Sequence, residues 1–167
     1  MPAHPTPVVR TVTSLAPVDE PRWLTVEQQQ TWRKFIAVLV KVPAALEGQL
    51  QRDAGVTHMG YLVLTTLSEQ PDRTLPMSRL AEKASASLSR LSHVVARLEM
   101  QGWVRRERSP LDGRVQLAVL TDAGWTKVVA TAPGHVEEVQ QLVFDKLNPA
   151  QLRQLDKICD SLLDGMG

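Results

Sequence analysis

Between Ser78 and Arg114 the chain gathers side chains suited to holding anions rather than to breaking bonds. This window has eight Lys or Arg against four Asp or Glu, a local net charge of +4, while the remaining sequence carries a net −3. A basic middle in a slightly acidic frame is the asymmetry produced when one face turns toward a polyanion. Within it, Arg90, His93 and Arg97 recur at three- and four-residue intervals and share a face if the segment is helical. Ser87 and Ser89 stand at the start of that segment, where short hydroxyls and backbone N–H groups can meet phosphate oxygens or base edges. In an arbitrary protein such a face is more often plain solvated surface, so its neighbours decide.

Catalytic chemistry is poorly represented. There is no Gly-rich phosphate loop and no His/Glu pair at metal-ligand spacing, and His4, His58, His93 and His135 are scattered. Cys159, the single cysteine, cannot form an intrachain disulfide; in an amphipathic segment it reads as a buried structural residue rather than a redox sensor. No enzymatic activity, cofactor or metal site is therefore expected. With 167 residues, 43% of them hydrophobic, the chain can bury a core, and its Leu, Val and Ala content suits packed helices. Apolar runs such as Ile36 to Val40 fall far short of the roughly 20 residues a membrane span needs. A cytoplasmic protein without a membrane partner is the expectation.

The elements that would position the basic face follow from periodicity. Residues 1–22, with five prolines, read as a flexible arm. Residues 23–56 read as an N-terminal helical region starting at Thr25, its apolar positions running from Trp32 to Leu50, kinked or divided at Pro43. Thr57 caps a helix carrying Tyr61, Leu62, Leu64 and Leu67, which ends at the Gln70-Pro71-Asp72 turn. Pro76 opens a short helix, Met77 to Ala84. Ser85-Ala86-Ser87 breaks it, and a second helix buries Leu88, Leu91, Val94, Val95 and Leu98 and ends at Gly102. Two short helices joined by a tight turn, the second with a basic outer face, form a helix-turn-helix. A hairpin follows: one strand over Trp103 to Glu107, a turn at Ser109 to Arg114, a second strand through Val119. That hairpin is a wing. Thr121 caps a long helix interrupted at Pro133-Gly134, and Asn148-Pro149 opens the last one, with Leu152, Leu155, Ile158, Leu162 and Leu163 as its stripe.

The stretch from Arg79 to Gly124 resembles the core of the multiple antibiotic resistance regulator (MarR) family. The residues that carry the resemblance are Leu80-Ala81, Ser89, Leu98-Glu99, Gly102, Arg105-Arg106, Asp112-Gly113-Arg114 and Leu120-Thr121-Asp122-Ala123-Gly124. The sequence departs from the family pattern at Ser85, where glycine is common in the turn, and at Leu88 and Arg90, which replace commoner polar residues. The resemblance implies a mainly α (α+β) homodimer: a winged helix-turn-helix with a two-stranded wing over residues 57–120, between N-terminal (23–56) and C-terminal (121–167) dimerisation helices. It further implies a bacterial transcriptional regulator, a repressor by expectation, acting on double-stranded DNA at an inverted-repeat operator. Arg90, His93, Arg97, Arg108, Ser87 and Ser89 would contact DNA, Arg114 would reach the minor groove, and Asp112 would support the wing by pairing an arginine. A small aromatic or lipophilic effector would enter a crevice near Trp32, Phe35, His58, Tyr61 and Leu62, although ordinary packing accounts for each of those residues as well. Two rival readings stay open: a winged-helix module that binds protein rather than DNA, and a chromosome-architecture protein without an effector.

Overall fold

The computed structural model describes residues 21–165, so most of the arm expected over residues 1–22 lies outside the described residues. Helix α1 runs from Val26 to Ala54. Thr25 opens it with a reciprocal box: its Oγ1 accepts from the Gln28 amide at 3.1 Å, and the Gln28 side chain accepts from the Thr25 amide at 2.9 Å. Helix α2 (His58–Ser68) starts on the Thr57 side chain, which accepts from the Gly60 N–H. Strand β1 (Thr74–Pro76) leads directly into α3 (Met77–Lys83), and α4 (Leu88–Met100) follows a four-residue turn. Strands β2 (Val104–Arg108) and β3 (Gln116–Leu120) precede α5 (Asp122–Leu142), a 3₁₀ turn at Phe144–Lys146 and α6 (Pro149–Asp164). Asn148 and Gln151 form a second capping box at the start of α6.

Three features depart from the sequence reading. α1 is a single helix through Pro43, so it is not divided there, and α5 runs uninterrupted through Pro133. Each proline removes one hydrogen bond to the carbonyl four residues back, and Pro43, Leu39, Pro133 and Val129 all belong to exposed positions rather than to the core. The two-stranded wing is joined by a third, short strand, giving an antiparallel sheet of order β1-β3-β2. Thr74 pairs with Val119 and Pro76 with Leu117 on one side of β3, while Val104 pairs with Leu120 and Arg108 with Gln116 on the other. Pro76 is tolerated because it closes an edge strand, where a missing N–H costs no central ladder bond.

The core centres on the winged part of the chain and takes in Leu50 at the end of α1 and Val128 of α5. Leu50, Val63, Leu64, Leu67, Leu80, Leu91, Val95 and Val104 are sealed from solvent around the central β3 residues Ala118 and Leu120. By contrast, no residue from Val26 to Lys41 and none in α6 is buried.

Two glycines set the joints around α4. Gly102 adopts φ 72°, donating to the Glu99 carbonyl while Trp103 donates to Leu98; this αL closure ends the helix and turns the chain into β2. Gly124 lies so close to β2 that a Cβ there would sit 2.1 Å from the Trp103 carbonyl oxygen. Thr121 completes the joint: its hydroxyl donates to the Gly102 carbonyl at 2.6 Å, and its amide donates to Trp103 at 3.0 Å.

Candidate nucleic-acid interface

The turn between α3 and α4 is built on Ser85, whose φ of 47° is the left-handed conformation that glycine adopts without strain. Ser87 then caps α4, its Oγ accepting from the Arg90 N–H at 3.2 Å. At about 100° per residue, Leu91, Val95 and Leu98 gather on the inner side of α4, where all three are buried. Ser89, His93 and Arg97 form an exposed ridge nearly opposite. Arg90 extends the ridge on the flank toward α1 and α2, where a hollow of about 550 Å³ is shared by Glu47, Thr57, Arg90, His93 and Arg97. Leu88 is a correction: expected inside, it is 53% exposed. As the first helical residue it stands on the edge of the apolar stripe, beyond the reach of the core that covers Leu91.

The arginines of the wing divide by what they already hold. Arg106 grips Glu99 through Nε at 2.9 Å and Nη2 at 2.6 Å, and its amide adds a bond at 3.2 Å. That fork ties β2 to the end of α4 and holds the Glu99 carboxyl below the usual carboxylate range. Arg105 pairs with Glu107. Arg108 folds over the turn and donates to the Gly113 carbonyl at 2.8 Å. The expected pairing of Asp112 with an arginine guanidinium is not what the geometry gives: Oδ1 accepts the backbone N–H of Arg114 at 3.0 Å and so fixes the turn itself. Among the described residues, Arg90, Arg97 and Arg114 make no ion pair, and all three are exposed. Arg114 lies against the other flank of α4, where a hollow of about 280 Å³ brings it together with Leu88, Ser92 and Val115.

The residues expected near an effector crevice fall into two groups. Trp32 and Phe35, on the first part of α1, are exposed with ring centroids 6.2 Å apart. His58 and Tyr61 meet His135 of α5, with centroids 6.1 and 4.9 Å from it, while Leu62 points outward. His135 was not singled out by sequence; a lone histidine in α5 carried no signal of this contact. Burial holds its pKa below the usual imidazole value, with His58 adding repulsion, and its Nδ1 is enclosed without a hydrogen-bond partner among the described residues. Burial also raises the Tyr61 phenol. Cys159, expected to be buried, is exposed on α6. No three His, Cys, Asp or Glu side chains among the described residues group as a metal site, and no described helix is long and apolar enough to cross a membrane.

Helix, tight turn, second helix with an unpaired basic ridge, and hairpin with an arginine at its tip define a winged helix-turn-helix protein. The MarR family model matches residues 56–115. Sco3205 of Streptomyces coelicolor, a MarR family transcriptional regulator solved in complex with DNA, is 50% identical. The match covers 88% of this chain and 92% of that one with a TM-score of 0.85. AbsC, a MarR family transcriptional regulator of the same organism, is 37% identical over 87% of this chain and 98% of that one, with a TM-score of 0.84. The HTH-type regulator YdcH of Bacillus subtilis is 27% identical over 130 residues, 77% of this chain and 80% of its own length. The chain belongs to the MarR family of transcriptional regulators.

Proposed function

We propose that the protein is a sequence-specific double-stranded-DNA-binding repressor that acts as a homodimer on an inverted-repeat operator. The observation that carries this reading is the exposed ridge of α4. Arg90 and Arg97 there, and Arg114 beyond it, make no ion pair among the described residues, whereas the neighbouring Arg105 and Arg106 are neutralised within the fold. Cations left free on one face are what phosphate and base edges require. Ser87, Ser89 and His93 stand on the same surface, and Arg108, exposed at the end of β2, uses one of its five N–H donors on the Gly113 carbonyl and keeps the others for an anion. Sco3205, at half identity, was solved in complex with DNA, which supports the DNA-binding reading.

A homodimer is the second part of the proposal. Leu155, Ile158 and Leu162 form a stripe on α6 that the chain leaves open, as it does Val38, Leu39 and Val40 on α1. A second copy offers the same apolar surfaces and can bury them. Two recognition helices related by a two-fold axis meet successive major grooves roughly 34 Å, or about 10 base pairs, apart. An aromatic or lipophilic effector taken up beside His58, Tyr61 and His135 would act only by binding one separation of those helices better than another.

Selection of bound duplexes from random sequence by the purified full-length protein tests the reading. The expected product is an inverted repeat with that half-site spacing. Retention of duplexes without sequence preference would favour an architectural role, and retention of none would reject DNA binding.

A further inference from the structure

We propose that Leu88 reads the methyl group of a thymine in the major groove and is a specificity-determining residue of operator recognition; this rests on the DNA-binding reading above. Leu88 is the first residue of α4, immediately after the Ser87 cap, and is 53% exposed, whereas every other Leu or Val of the helix is buried or half-buried. A single exposed leucine on an ordinary surface calls for no explanation. Here it occupies the N-terminal end of the helix, the end that approaches base edges in this docking geometry. By helical rotation it lies on the opposite flank from Arg90. On its own flank it shares a hollow of about 280 Å³ with Ser92, with Met77 of α3, and with Arg114 and Val115 of the wing. The apolar side chain is thus set beside Arg114 on one flank of α4 with Arg90 on the other, neither cation forming an ion pair among the described residues, and a polyanion held by both brings its groove edge against the N-terminal turn that carries Leu88.

The chemistry of that edge then selects the base. Adenine, guanine and cytosine present polar hydrogen-bonding groups in the major groove, while thymine adds a C5 methyl group. Leucine against a polar edge strips water from a donor or acceptor and returns no hydrogen bond, whereas leucine against the methyl buries apolar surface on both sides. The same side chain therefore attracts thymine and penalises its competitors, which is how a non-hydrogen-bonding residue generates discrimination.

The experiment uses the full-length protein and its selected operator, with each thymine replaced in turn by uracil, a change that removes only the C5 methyl. Anisotropy titrations should find one thymine per half-site whose replacement weakens binding about fourfold per methyl removed. The Leu88→Ala variant should bind the thymine duplex more weakly than the parent and should no longer distinguish it from the uracil duplex. Leu88→Met should keep the discrimination. An operator on which no uracil replacement weakens the parent, or a Leu88→Ala variant that discriminates as the parent does, overturns the role of Leu88. Loss of binding to every duplex by the parent itself would instead overturn the DNA-binding reading.

Discussion

Helices α4 and α6 are written in similar ways and end in opposite situations. Each carries a regular apolar stripe with charged and polar residues on the other side. In α4 the stripe closes against α2, α3 and the sheet, leaving Leu91 and Val95 at 0% exposure. In α6 the equivalent stripe stays open, with Leu155 at 36% and Ile158 at 54% exposure. Amphipathic patterning therefore specifies that a surface is to be covered, and only the tertiary contacts say whether the chain covers it itself. For α4 the answer is internal, and the polar ridge becomes free for a ligand. For α6 the described residues leave the stripe uncovered.

The strongest test of that contrast sets Leu91→Ala beside Ile158→Asp. Removing a sealed leucine from α4 should cost about 2–5 kcal/mol of folding stability. For Ile158→Asp the expected result is a halved mass by light scattering at micromolar concentration. The parent's stability should rise with protein concentration, whereas the variant's should not. A variant of unchanged mass would move the interface away from α6.

On the polar side of α4, Arg90→Ala should weaken operator binding by about 1–3 kcal/mol and relax preference at one base position per half-site. Arg114→Ala should weaken binding across sequences and flatten the salt dependence by about one unit per half-site, as loss of a minor-groove or phosphate contact does. Equal, sequence-blind losses for the two would reduce Arg90 to a phosphate contact. Unchanged melting temperatures are expected for both, since both side chains are exposed.

Smaller effects sharpen how the closed helix is held. Ser85→Gly relieves a left-handed residue at the entrance to α4. The net gain should stay under about 1 kcal/mol, because glycine also loosens the unfolded chain. Glu99→Gln should cost on the order of 1 kcal/mol or less, the fork with Arg106 being partly exposed. The folded carboxyl titrates below its ordinary value of 4.5, so the contribution is complete above that pH. It fades as pH falls through the lower folded value. Denaturant melts of parent and variant should therefore converge in acid. A gap that persisted there would mean that Glu99 acts by packing alone.

Local signals carried most of the element assignments. Thr57, Ser87, Thr121 and Asn148 each cap the helix expected of them, because a short polar side chain ahead of an apolar period has a single favourable use. Strand β1 was not legible: three residues ending in proline have no period, and only pairing with β3 makes them a strand. The candidate interface was legible as a face but not residue by residue. Periodicity placed Leu88 inside, because it cannot register that the core stops short of the first turn. Nor could it show that Arg106 is held by Glu99 or that His135 meets Tyr61, since each partner comes from another element.

The joint at Thr121 and Gly124 has a mechanical consequence. Two hydrogen bonds and a glycine pressed on the Trp103 carbonyl leave no slack between the start of α5 and the end of α4. Packed interiors compress little, so any residue larger than glycine at position 124 has to displace either the first turn of α5 or the turn that closes α4.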